Sequence, residues 1–73
     1  MEITDKTSAE AFCAVWATES ESRQIRHLTF AIEGQEKRVK LFRIQGRTYA
    51  ELDALEAIVV LRKRRLELRM RTR

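Results

Sequence analysis

The chain has no proline, two glycines, one cysteine and one histidine in 73 residues. Each shortage excludes something. Cys13 has no second thiol for an internal disulfide, and Cys13 with His27 falls short of the about four ligands that a structural zinc site takes. No apolar run approaches the ~18 residues of a membrane span, and the acidic start Met1-Glu2-Ile3-Thr4-Asp5 lacks a signal-peptide pattern. A cytosolic, reducing setting is the expectation. Gly34 and Gly46 stand alone, outside any phosphate-cradling loop. Catalysis is not expected either. Cys13 sits among Phe12, Ala14 and Val15 as a packing residue, His27 reads as a surface residue, and Asp53 and Glu56 have no indicated acid–base partner. No enzyme, metal or cofactor is therefore expected. A domain this small, without staples, gains only a few kcal/mol from its own core, so further burial is expected from partner chains or from copies of itself.

What is abundant is charge, and it is unevenly placed. Residues 1–21 hold five carboxylates against the single cation Lys6, while residues 62–73 hold seven cations against the single carboxylate Glu67. Such a charge dipole suits head-to-tail packing or a basic end on a polyanion.

Hydrophobic spacing divides the chain into four parts. Residues 1–6 read as a loose leader. A helix is expected over 7–22, opened by a Thr7–Glu10 capping box, with Phe12, Val15 and Trp16 on one side and alanines allowing close approach. At Ile25 the period changes. Leu28, Phe30 and Ile32 alternate with polar neighbours, Gly34-Gln35 offers a turn, and Val39-Lys40-Leu41-Phe42-Arg43-Ile44 returns, so a β-hairpin is expected over 25–45. Its register stays open, and Phe42 and Ile44 fall off the shared face. Beyond Gly46, a Thr48–Glu51 capping box opens a helix over 48–70, with 71–73 as a flexible tail. The resulting fold class is α+β, a single αββα domain.

The long helix carries two apolar stripes. Leu52, Leu55, Ile58, Val59 and Leu66 form the stripe expected to pack on the hairpin and first helix. Ala54, Ala57, Leu61 and Leu68 lie opposite and are expected to meet a partner or a second subunit. The basic end comprises Arg62, Lys63, Arg64, Arg65, Arg69, Arg71 and Arg73. The first four circle the helix as a collar, a candidate contact for nucleic acid or an acidic protein surface. The same tetrapeptide resembles a nuclear import signal, and a membrane-surface role lacks an aromatic anchor.

In layout, the Ala-rich helix, the hairpin with strand Arg38-Val39-Lys40-Leu41, and the helix opening Thr48 to Leu52 with its Arg-rich end resemble the head–tail joining protein W family of lambda-like tailed phages. That resemblance implies a non-enzymatic connector assembling as a homo-oligomeric ring between the portal protein and tail or adaptor proteins. Its basic end would face portal or packaged DNA, with no membrane partner. It implies a place in the neck of the virion, and in the host cytoplasm during assembly. The alternative is a small basic nucleic-acid-binding or inhibitory phage protein acting through the Arg-rich helix.

Overall fold

The computed structural model describes residues 2–71 and contains three helices: α1 (Lys6–Val15), α2 (Glu21–Gln45) and α3 (Thr48–Arg71). There is no strand among the described residues, so the expected αββα fold is wrong and the chain is all-α. Helices α2 and α3 form a long antiparallel pair, and α1 packs back against α3, giving a body 41 × 20 × 14 Å.

The segment expected to form a hairpin lies inside α2, for reasons visible in its residues. Leu28 and Ile32 are spaced by one helical turn as well as by strand alternation. The buried line continues through Gln35, Val39 and Phe42, in steps of 4, 3, 4 and 3 that only a helix brings to one side. Phe30, between the first two, is 80% exposed, and Ile44 is likewise left in solvent. Residues 33–43 are rich in Glu, Gln, Lys, Arg and Leu, which lose little side-chain freedom in a helix. Gly34 is tolerated within the helix. Its backbone φ is not positive, so it makes none of the turn geometry a hairpin would ask of it. A lone two-stranded hairpin is marginal in water, whereas a helix here gains the whole length of α3 as a partner.

The turn that does exist is at Gly46. Gly46 ends α2 in the left-handed conformation (φ 70°), and the Arg47 N–H donates to the Phe42 carbonyl at 2.9 Å in a Schellman-type closure. The Glu51 N–H then donates to the Arg47 carbonyl, which makes Arg47, rather than Thr48, the residue preceding the first turn of α3. The Glu51 carboxylate accepts from Arg43 Nε at 3.1 Å and Nη2 at 3.0 Å, fastening the two helices beside the turn.

Helix α1 is shorter than the expected 7–22 and starts one residue earlier. Asp5 is its cap. Its Oδ1 accepts from the Ser8 N–H at 2.9 Å, and Ser8 Oγ accepts from the Asp5 N–H at 2.9 Å, a reciprocal box in place of Thr7–Glu10. Residues 16–20 cross to α2, whose N-cap is Ser20. The leader is not loose: Ile3 is buried, and its carbonyl accepts from Gln35 Nε2 at 2.9 Å.

The core has two parts. Ile3, Ala9, Leu28, Ile32, Ala57, Leu61 and Leu68 gather where all three helices meet, with Phe12, Cys13 and Ile25 packed on their edge. Val39, Phe42, Ala54 and Ile58 form a smaller cluster toward the turn, where α1 does not reach. Trp16 stacks on His27, with ring centroids 3.8 Å apart, and Phe12 meets Trp16 edge-on. This aromatic group joins the end of α1 to α2.

Candidate interaction surface

The structure exchanges the roles of the two stripes on α3. Ala54, Ala57, Leu61 and Leu68, expected to face a second subunit, are buried inside the chain. The small side chains of Ala54 and Ala57 let the neighbouring helices approach closely, and Leu61 and Leu68 are fully enclosed between them. Of the stripe expected inside, only Ile58 is buried. Leu52, Leu55, Val59 and Leu66 are exposed, with Val59 at 66% and Leu66 at 59%, and Met70 extends the same line. Helix α1 flanks this line on one side, where Lys6, Glu10 and Cys13 face Val60, Arg64 and Glu67 across an open groove. Helix α2 flanks the other side, where Glu36, Val39, Lys40 and Arg43 face Leu55, Ile58 and Arg62. Val59 and Lys63 also line the α1 groove, as Leu55 and Arg62 line the other, and Leu52, Leu66 and Met70 stand outside both.

The basic collar is only partly free. Arg62 pairs with Glu36 across the helices at 3.6 Å, and Arg64 pairs with Glu67 at 3.5 Å while also reaching Gln24 Oε1. Arg65 Nη1 donates to Thr29 Oγ1 at 3.2 Å. Burial first, then the neighbouring Arg69 and Arg62 cations, lower the Arg65 pKa from its usual range. Lys63 points outward. Arg69 and Arg71 lie in the last turn of α3, and Arg73 falls outside the described residues. The antiparallel arrangement adds two cations that the sequence pattern did not single out. Arg23 and Arg26 flank Gln24 on α2, and Gln24 touches Arg64, so both guanidinium groups stand at the same end of the molecule.

The polar residues inside the fold were also missed. Gln24 is buried and donates from Nε2 to the Glu19 carbonyl at 2.7 Å, holding the α1–α2 crossing. Gln35 is buried and fixes the leader, with its Oε1 left unpartnered. The one signal for Gln35 is its position on the 28–32–35–39–42 line, which is invisible once that line is read as alternating strand.

Cys13 and His27 line different grooves. Cys13 lines the groove between α1 and α3, and burial raises its thiol pKa above the ordinary value, away from a reactive thiolate. His27 lies under Trp16 and lines a different groove, beside Phe30 and Gly34. Asp53 and Glu56 are exposed on α3. Among the described residues no cluster of three His, Cys, Asp or Glu could hold a metal ion, and no helix is long and apolar enough to cross a membrane. No family model, no curated protein and no solved structure matches the chain.

Proposed function

We propose that this protein is a non-enzymatic assembly module, a helical body that docks through the outer face of α3 onto other protein subunits. The observation that carries this is that α3 is apolar on two sides while the fold covers one. Leu52, Leu55, Val59, Leu66 and Met70 remain in solvent along one line. Scattered surface aliphatics need no explanation, but five along one side of one helix, interrupted by Arg62, do. The resemblance to head–tail joining proteins drew its layout from a hairpin that the chain does not form. Its local segments, Arg38–Leu41 and Thr48–Leu52, lie on α2 and at the start of α3. The function is accordingly stated at the level of subunit assembly, and a ring between portal and tail is one assembly in which it can be tried.

The test compares the wild-type chain with the Val59→Glu/Leu66→Glu variant in the cells that make it. Both positions are exposed, so circular dichroism should report the same helix content and melting for the two. Native sedimentation should find the wild type in a particle much heavier than the 8.6 kDa chain and the variant alone. Wild type and variant sedimenting alike would overturn the proposal.

A second reading has one observation in its favour, the convergence of Arg23 and Arg26 with Arg62, Lys63, Arg64, Arg65, Arg69 and Arg71 at one end. A duplex bound there would show log affinity falling with log salt by roughly 0.9 for each phosphate neutralised. Three of the collar cations are already engaged within the chain, which sets this reading second.

A further inference from the structure

We infer that the outer face of α3 is occupied by the same face of a second copy, running antiparallel, so that two molecules join about a two-fold axis near Val60 and Leu61. The inference rests on the assembly reading above and names its first partner.

Spacing supplies the first argument. Leu52, Leu55, Val59, Arg62, Leu66 and Met70 follow one another in steps of 3, 4, 3, 4 and 4. The first four steps alternate as in a helix-on-helix seam, in which each side chain enters a gap between four residues of the facing helix, and Met70 adjoins the next position of that repeat. Two such lines laid together extend about 27 Å at 1.5 Å per residue. The one charged member does not spoil the seam. Arg62 is drawn sideways to Glu36 at 3.6 Å, so its methylene stem stays on the line while its guanidinium leaves it.

Charge selects the orientation. Residues 48–61 of α3 contain Glu51, Asp53 and Glu56 and no cation, while residues 62–71 contain six cations and Glu67. A parallel pair would set acid against acid and base against base. An antiparallel pair sets the acidic third of one helix beside the basic third of the other. With the axis between Val60 and Leu61, Leu55 faces Leu66 of the second copy and Val59 faces Arg62. Leu52 comes beside Arg69 and Met70, and Glu56 comes within a turn of Lys63. Each of these contacts occurs twice, as a two-fold interface demands. Glu56 and Lys63 are both exposed and adjoin the line on the same side, where facing helices exchange charges. Glu51 is taken by Arg43 and does not take part.

The surroundings permit the approach. Helix α1 flanks the line, with Lys6, Glu10 and Cys13 sharing a groove with Val59 and Lys63, and Val59, Leu66 and Met70 remain well exposed beside it.

Two experiments on the full chain test the inference. In a Cys13→Ser background, which removes the only native thiol, Leu55→Cys and Leu66→Cys variants are oxidised singly and mixed. The antiparallel pair predicts a disulfide between the two variants in the mixture and little within either alone. Position 55 and its own symmetry mate stand about 16 Å apart along the seam, beyond the ~7 Å reach of a disulfide. Linkage of Leu55→Cys to itself would overturn the orientation, and no linkage in any combination would overturn the dimer. In the second experiment, Glu56→Lys or Lys63→Glu alone should weaken self-association about tenfold, through two like-charge contacts per dimer, and the two together should restore it. Weakening without restoration would overturn the pairing. A strictly monomeric protein that still enters a heavy particle in its own cells, with Val59→Glu/Leu66→Glu excluded from it, would end this inference and leave the docking face intact. A protein that dimerises but enters no particle would do the reverse.

Discussion

Helices α2 and α3 are nearly the same length and lie side by side, yet they are finished differently. Along α2 the buried line Leu28, Ile32, Gln35, Val39 and Phe42 faces inward, and the opposite side mixes the charges of Arg26, Glu33 and Lys37 with the exposed Phe30, Leu41 and Ile44. Along α3 the inward line Ala54, Ala57, Ile58, Leu61 and Leu68 is matched by a second apolar line facing outward. The outer side of α2 interleaves apolar side chains with charges, whereas on that of α3 Leu52, Leu55 and Val59 follow one another at helical spacing before the first cation, Arg62. The second apolar line of α3 is therefore the face proposed for partners.

That contrast can be broken from the inside first. Leu61 is fully buried where the three helices meet, and Leu61→Ala should cost about 2–5 kcal/mol, enough to unfold much of so small a domain at ambient temperature. Thermal and urea melts read this directly. Next come the two glycines. At Gly46 the positive φ makes Gly46→Ala destabilising by about 1–2 kcal/mol. At Gly34 the reverse holds: no atom lies within 4 Å of an added Cβ and the backbone is helical, so Gly34→Ala should stabilise by about 0.5–1 kcal/mol. A loss of stability at Gly34 would bring back the turn and the hairpin.

Smaller again is the acid response of the α1 cap. The hydrogen bond from the Ser8 N–H, with that from its hydroxyl, lowers the Asp5 pKa below the usual carboxylate range. A lowered folded pKa means that the unfolded chain takes up protons first. The contribution is complete above about pH 5 and disappears as pH falls through the folded value. Acid melts of the wild type and Asp5→Asn should therefore converge once the pH falls below the lowered folded pKa and separate near neutrality, with the wild type the more stable. The smallest effect sharpens the contrast most. Val59→Ala, on the outer line of α3, should leave the stability of dilute protein within about 0.5 kcal/mol of wild type, against the large loss at Leu61 two residues away.

The sequence makes α3 legible because its helical spacing runs unbroken from Thr48 and nothing competes with it. Which side of α3 faces inward was not legible, since leucines lie on both sides. The inner side is decided by how closely α2 and α1 can approach, and Ala54 and Ala57 permit that where Leu52 and Leu55 would hold the helices apart. Helix α2 was misread because Leu28, Phe30 and Ile32 satisfy two periods at once, and Gly34 appears to punctuate them. Only the longer line through Gln35, Val39 and Phe42 separates the periods, and it contains a glutamine where an apolar residue is sought. The N-terminal leader was misread for another reason. Ile3 is held by a hydrogen bond from Gln35, 32 positions away, and no local pattern encodes that tie. The collar from Arg62 to Arg65 stood out in the sequence, while its engagement by Glu36, Thr29 and Gln24 depends on the antiparallel return of α2.

The stack of Trp16 on His27 gives the molecule a built-in optical gauge. Trp16 is the only indole in the chain and stands at the hinge between α1 and α2, whereas the α2–α3 pair carries none. Its emission therefore follows the undocking of α1 separately from the helix signal of the long pair, so one sample reports whether the small helix lets go before the large ones melt.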